Sequence, residues 1–336
     1  MAHNICIKTK GNHKQGMGDV MGSIAIAEEF RTRGLLSSFI VDNDAEALSA
    51  VQRAGFYAKA VSHNFEASAW DAGYFDIVIV NQLNTPSEQL SVIKKHCSHL
   101  VTIDDTGEAS RRFADLRINP LYYDEGAYND VEYIPLHPVF QRAHAGSGKI
   151  RAGIGHVLVT LGGSDTYGLT PQILDALSGC PPEIEIAAII GPAFKHDREL
   201  DAVLSVTGRK FDALLRSVDI ETMCKWIQWA DLAICAAGNT LFEMACCGTP
   251  AVVVCGEPFE EETAYRLEKM GFGKVVPFNT RLDISRLQAF INEFSDSAVR
   301  ERHSQTGKRL IDGMGIMRIV DKALGLINQT DGARVG

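Results

Sequence analysis

No stretch of this chain approaches the ~18 consecutive apolar residues that a membrane-spanning helix requires. Its start, MAHNICIKTK, runs straight into a strand-like segment and lacks the long apolar core of a signal peptide. Blocks of lysine and arginine are also missing. With 33 basic and 42 acidic residues the formal charge is -9, the wrong sign for a general nucleic-acid binder, which neutralises backbone phosphates with basic patches. The eight cysteines form no C-x-x-C pair and the ten histidines show no H-x-x-x-H spacing. Neither a disulfide framework nor a metal site is therefore expected. A G-x-S-x-G nucleophile elbow is absent as well. These absences predict a cytoplasmic protein with reduced, buried cysteines, no membrane span, no nucleic-acid partner and no cofactor.

What is present is a globular composition, 46% apolar and 22% charged, in 336 residues, enough for two domains of about 150 residues each. Strand-like runs at 5–9, 38–42, 75–80 and 100–104 alternate with helical patterns at 20–33, 45–54 and 87–96. The alternation restarts with strands at 156–161, 184–190, 232–235, 251–255 and 274–277. Apolar strands alternating with helices predict parallel sheets covered on both faces. The polar, glycine-rich segment 141–149 is the best linker. The expected domains are 1–145 and 150–336, two doubly wound α/β units with a ligand cleft between them. A final helix over about 298–326 completes the second.

Ligands of doubly wound sheets bind outside the carboxyl ends of the strands, and three glycine-containing loops fall there. The most informative is in ADLAICAAGNTLFEMACCGTPAVVV, residues 230–254, which reads strand, small-residue turn, helix to about Cys247, stop, strand. A turn entering a helix N-terminus offers unpaired N–H groups and the positive end of the helix dipole, which suits a phosphate. Gly238, Asn239 and Thr240 would meet it there. Thr240 and Glu243 also match a capping box, an account of Glu243 that needs no ligand. In the second loop, Gly162, Gly163 and Ser164 form either an anion nest or a plain strand-to-helix turn, with Thr170 as N-cap and Pro171 at the first helical position. The first loop carries Gly16, Gly18 and Asp19. Here a close backbone approach and a cleft-facing carboxylate compete with a tight turn and an ordinary N-cap. Gly191, ending the strand at 184–190, either lines the pocket or simply turns. Ile227, ahead of the strand at 232, offers backbone to a nucleobase edge or belongs to the core.

Taken together the loops resemble the GT-B architecture, two Rossmann-like domains of nucleotide-sugar enzymes. More narrowly, the chain resembles the PseG/SpsG-like family, which includes a UDP-diacetamido-trideoxysugar hydrolase. The resemblance spans about residues 4–325 and rests on GMGDVMGSIAIAEEF, VTIDD, LVTLGGSDTYGLTPQIL, IIGPAF, WADLAICAAGNTLFEMACCGTPAVVV and ETAYRLEKMGFG. It implies a UDP-sugar substrate, with Gly162, Gly163, Ser164, Gly238, Asn239 and Thr240 at the diphosphate and Glu243 at the ribose. It also implies that the first loop activates the nucleophile. The hydrolase has histidine where this chain has Asp19, and an arginine where it has Gly22. Its Asn-Gln after the last ligand strand is replaced by Glu257-Pro-Phe-Glu-Glu-Glu-Thr263.

These departures surround the reacting sugar rather than the nucleotide. The expectation is an enzyme cleaving the anomeric C–O bond of a UDP-activated amino- or deoxy-sugar, with Asp19 as general base. Water as nucleophile makes it a hydrolase; a sugar or protein hydroxyl acceptor makes it an inverting glycosyltransferase. The departures and the acidic run also motivate a different class, a catalytically silent nucleotide-sugar-binding protein.

Overall fold

A computed structural model of the chain describes residues 3–11, 17–61, 70, 73–121, 123–146, 150–206 and 211–334. The chain divides into two compact units, Met1–His137 with Gly313–Gly336, and Pro138–Asp312. In the first, β1 (Asn4–Thr9), α1 (Gly18–Thr32), β2 (Leu36–Asp42), α2 (Ala45–Arg53), β3 (Tyr57–Val61) and β4 (Phe75–Asn81) are followed by α3 (Ser87–Lys95), β5 (Cys97–Ile103), α4 (Glu108–Phe113) and β6 (Leu116–Ile118). The six strands are parallel in the order β3-β2-β1-β4-β5-β6. The order reverses between β1 and β4, where doubly wound sheets bind their ligands.

β4 shows why the strands read as continuous apolar runs. Ile77 and Ile79 enter one core cluster with Val20, Ile24 and Phe30 of α1. Val78 and Val80 enter another with Leu90 and Ile93 of α3. Successive residues face opposite sides, and both sides are covered by helices. Each such side chain removed from water contributes about 1.5–3 kcal/mol.

The second unit opens with α5 (Pro138–Ala145), then β7 (His156–Thr160), α6 (Leu169–Leu177), β8 (Glu185–Ile190), α7 (Asp197–Val206), β9 (Ala213–Arg216) and α8 (Ile220–Trp229). It continues with β10 (Leu232–Cys235), α9 (Asn239–Cys247), β11 (Ala251–Val254), α10 (Glu260–Lys269), β12 (Lys274–Val276), α11 (Ile284–Glu293) and α12 (Ser297–Leu310). Its parallel order, β12-β11-β10-β7-β8-β9, repeats the arrangement of the first, with the reversal between β7 and β10. The fold class is α/β with two doubly wound, Rossmann-like sheets.

Several boundaries differ from the sequence expectation. The expected segments 1–145 and 150–336 exchange pieces at both ends: α5 goes with the second unit and α13 (Gly315–Arg334) with the first. α13 does so by burying Ile316, Ile319, Val320 and Ala323 in the cluster that α1 lines. The single final helix is two helices, because Gly313 adopts a left-handed φ of +76° between α12 and α13. The proposed linker begins inside α5, and residues 147–149 of it lie outside the described ones. β3, β6 and β9 have no counterpart in the sequence reading. They are short, and β3 and β9 are half-exposed strands at or near a sheet edge, without an apolar run.

Candidate functional site

Thr160 at the end of β7 pairs with Cys235 at the end of β10, so the turns following them leave the sheet side by side at its reversal point. Gly162 and Gly163 are exposed and Ser164 half-buried, its hydroxyl 3.4 Å from that of Thr166. On the other turn Gly238 and Asn239 are exposed and Thr240 is half-buried. The turn ending β8 joins the first of these. A Cβ on Gly191 would lie 2.2 Å from the Gly162 carbonyl and 2.4 Å from that of Gly163. Only glycine permits this approach, and the Ala193 N–H donates to the Gly163 carbonyl at 2.9 Å.

The two helices behind these turns start differently from the sequence expectation. α6 begins at Leu169 with Gly168 as N-cap, not at Pro171 with Thr170 as cap. Its first N–H groups are occupied: the buried Asp165 carboxylate accepts from Leu169 and Thr170, both at 2.8 Å. The α6 dipole is thus already met by a protein anion. α9 is the opposite case. Its N-cap is Gly238, which has no side chain to offer the first N–H groups, and no side-chain cap is formed. Thr240 therefore lies two residues inside the helix and the capping box with Glu243 does not form. The open helix start is at α9 alone of the two.

Glu243 lies one turn into α9 and is 8% exposed. Among the described residues no hydrogen bond reaches its carboxyl group. Burial pushes its pKa up to about 8, and the neighbouring Cys224 adds to the rise. Glu260, the first residue of α10, has the reverse environment. Its carboxylate accepts from the N–H of Gly256 at 2.7 Å and from those of Glu257 and Ala237, tying the β11 turn to the β10 turn. Burial still raises its pKa against these bonds. Glu261 accepts the Phe278 N–H at 2.8 Å. Two members of the acidic run thus hold loop backbone in place. The run stood out in the sequence only as a departure, since a Glu run gives no hint of which N–H groups it will meet, and Asp165 was not singled out.

Ile227 does not come to this surface. It is fully buried in α8, and its carbonyl accepts the Thr249 hydroxyl at 2.7 Å.

In the first unit Gly16 lies outside the described residues. Gly18 opens α1, exposed, and Asp19 follows it, half-buried. Met17, not Asp19, is the N-cap, and it makes no side-chain bond. Burial raises the Asp19 pKa to about 6, opposed by the Lys10 cation. Asn81, at the end of β4, fixes this turn by donating to the Asp19 carbonyl at 3.0 Å and to the Ser23 hydroxyl at 3.1 Å. Sequence reasoning missed Asn81, since it lies 62 residues from Asp19. Gly22 is buried with Pro135 Cγ 3.5 Å and Asn81 Nδ2 3.9 Å from a Cβ built on it. A Cβ there would make ordinary van der Waals contact with both.

No family model matches the chain. Over 340 residues it is 26% identical to the spore coat polysaccharide biosynthesis protein SpsG of Bacillus subtilis, covering 94% of this chain and 96% of the relative. Its fold is similar to the crystal structure of MurG from Acinetobacter baumannii, with a TM-score of 0.71, 14% identity, and coverage of 96% and 99%. It is also similar to HepE of Anabaena, solved in complex with UDP and glucose, with a TM-score of 0.57, 14% identity, and coverage of 95% and 99%. At such identities these structures show the fold, and the fold is GT-B.

Proposed function

From a chain that is an SpsG homologue in the GT-B fold, we propose an enzyme that cleaves the anomeric C–O bond of a UDP-activated amino- or deoxy-sugar. The observation that carries the reading is the start of α9, with open N–H groups at 238–240 directly ahead of a buried Glu243 carboxyl that lacks a partner among the described residues. An anionic diphosphate suits the first; a pair of ribose hydroxyls suits the second. HepE was solved with UDP, which favours the same nucleotide here. Gly162, Gly163 and Ser164 add N–H groups from the neighbouring turn, with Gly191 holding that turn in place.

Bond cleavage builds negative charge on the departing diphosphate, and fixed backbone dipoles lower its energy without reorganising. Asp19 is the general base, removing a proton from the nucleophile as it attacks the anomeric carbon. Direct displacement inverts that centre. Water is the favoured nucleophile because the sequence motifs resemble the family that includes a UDP-sugar hydrolase, and a sugar or protein hydroxyl is the alternative. The silent-binder reading loses one of its motives, since Glu260 and Glu261 have structural roles.

The test is Asp19→Asn, with UDP affinity and UDP release measured on the same protein. A UDP-sugar hit is first found by thermal shift across UDP-, GDP-, dTDP- and CMP-sugars. Affinity should hold while turnover falls roughly 10²–10⁴-fold. Unchanged turnover removes Asp19 as base, and no stabilisation by any UDP-sugar overturns the whole reading. NMR of the product separates water from a hydroxyl acceptor.

A further inference from the structure

A line of buried polar side chains that the proposed chemistry does not use crosses the carboxyl ends of the first sheet. Lys8, one residue short of the end of β1, is 2% exposed. Its ammonium donates to the half-buried Asp42 carboxylate at the end of β2, to Gln82 Oε1 at 3.3 Å and to the Thr9 carbonyl at 3.4 Å. Gln82, just after β4, is also buried, and its Nε2 donates to the Thr85 hydroxyl at 3.1 Å. The Thr85 N–H donates to Asp105 Oδ2 at 3.2 Å, and Asp105 Oδ1 accepts the Gly107 N–H at 3.0 Å. One hydrogen-bonded line thus joins the ends of β2, β1, β4 and β5. Gln82 is its middle member and uses both ends of its amide.

The winding of the sheet does not require this line. The second sheet has the same strand order, and at its reversal β7 and β10 run out through Thr160, Leu161, Cys235 and Ala236, all buried and none charged. Small and apolar side chains close the strand ends there. Burying an ammonium and an amide is costly unless their polar atoms are matched, so in the first sheet the line fixes something that apolar packing leaves loose. The neighbour of Gln82 identifies it. Side chains alternate along a strand, with Ile77 and Ile79 toward α1 and Val78 and Val80 toward α3. The alternation continues through Asn81, which donates to the Asp19 carbonyl and the Ser23 hydroxyl of α1. Gln82 takes the opposite side, where it meets Lys8.

We propose that Gln82 is a positioning residue for Asp19, holding the chain after β4 so that the Asn81 amide stays on the Asp19 carbonyl. The proposal rests on the reading of Asp19 as general base. Such a base must come within ~2.6–3.2 Å of the proton it removes, and a misplacement of about 1 Å costs up to ~10²-fold. With Asn81 tied on one side and Gln82 on the other, the chain cannot turn about its own axis without breaking one grip. Lys8 stands behind Gln82, and Asp42 balances its charge.

The test is a double-mutant cycle on the full-length protein. UDP affinity and kcat for UDP release are measured at a temperature well below the thermal melt of each variant. Gln82→Met nearly keeps the length of the side chain and removes both of its hydrogen bonds. It should lower kcat roughly 10–100-fold with UDP affinity unchanged, since the proposed nucleotide ligands all lie in the second unit. Asn81→Ala should lose at least as much. The double variant should match Asn81→Ala alone, because Gln82 acts through Asn81. A Gln82→Met protein that melts lower but turns over at the wild-type rate overturns the proposal. So do losses that multiply in the double variant, and so does a fall in UDP affinity that parallels the fall in kcat. Asp19→Asn separates the two claims. Full turnover in that variant overturns the base reading, whereas its loss beside full turnover in Gln82→Met overturns the positioning role alone.

Discussion

Asp19 shows how one residue can be visible in a sequence while its chemistry is not. Its place at the head of a helix after a glycine loop follows from GMGD alone. Its basicity does not, because this depends on burial and on Lys10 at the end of β1, while an Asn81 side chain from β4 anchors the turn itself. A general base works only as the ionised carboxylate, so kcat/KM for UDP release should rise with pH through about 6 and level off above it. Lys10 favours the charged form. Lys10→Met should therefore move this limb to higher pH, lowering the rate at pH 6 more than at pH 8. A pH–rate profile of the two proteins decides the matter. A limb that stays in place in the variant means that another group titrates.

At the scale of the element, helix and strand bodies were legible, as were the starts of α2 at Ala45 and α3 at Ser87, while the capped starts of α6 and α9 were not. The strand and helix of residues 230–254 fall where apolar periodicity puts them, with β10 at Leu232–Cys235 and α9 ending at Cys247. The Thr-x-x-Glu pattern misplaces the start because Gly238, extended at φ -85° and ψ -159°, takes the N-cap position. At α6 the cap comes from Asp165, a residue held at φ +42° and buried before the helix begins. Such caps depend on where a turn points, which residue spacing does not encode. α12 has a comparable hidden contact. His303 is 9% exposed, and its Nδ1 accepts the Gly273 N–H at 3.0 Å, which requires the neutral ring. Burial, helped by the Lys274 cation, lowers its pKa to about 4, with Glu293 opposing. In the unfolded chain the ring titrates at its ordinary value of 6.5. Between those values the unfolded state binds the extra proton, so the neutral ring's stabilisation is complete above 6.5 and is lost as pH falls through about 4. His303→Gln keeps an acceptor for Gly273 and removes the titration. Urea unfolding at pH 4.5 and pH 7 should show the variant losing ~1–3 kcal/mol less than wild type between the two. Equal losses would mean that His303 does not titrate in this window.

At the scale of the molecule the two halves share a strand order without sharing a sequence. β3-β2-β1-β4-β5-β6 and β12-β11-β10-β7-β8-β9 are the same winding, each with its own core. Periodicity could predict that winding twice, since it depends only on apolar strands alternating with helices. It could not predict that α13 would return to the first unit, because an apolar stripe by itself does not specify which core it will meet. The three tryptophans divide between the units: Trp70 is buried in the first, whereas Trp226 and Trp229 lie together, half-buried, on α8 in the second. The proposed nucleotide ligands, from Gly162 to Glu243, all belong to the second unit. Ligand binding stabilises the state that holds it by RT ln(1 + [L]/Kd), about 2.7 kcal/mol at a hundredfold excess over Kd. UDP should therefore delay urea unfolding of the second unit by about that much, read from Trp226 and Trp229 in Trp70→Phe protein. Trp70, read in the Trp226→Phe/Trp229→Phe protein, should shift less unless the two cores unfold as one. Above pH 8, where Glu243 is ionised, Glu243→Gln should shrink the UDP-dependent shift, since a carboxylate offers an oxygen to each ribose hydroxyl and an amide has a single carbonyl oxygen. A UDP-dependent shift confined to the Trp70 signal would place the nucleotide on the wrong sheet and overturn the assignment of 238–240. An undiminished shift in Glu243→Gln would remove only the ribose contact. The open start of α9 would then remain the anion site, with its N–H groups supplying the binding.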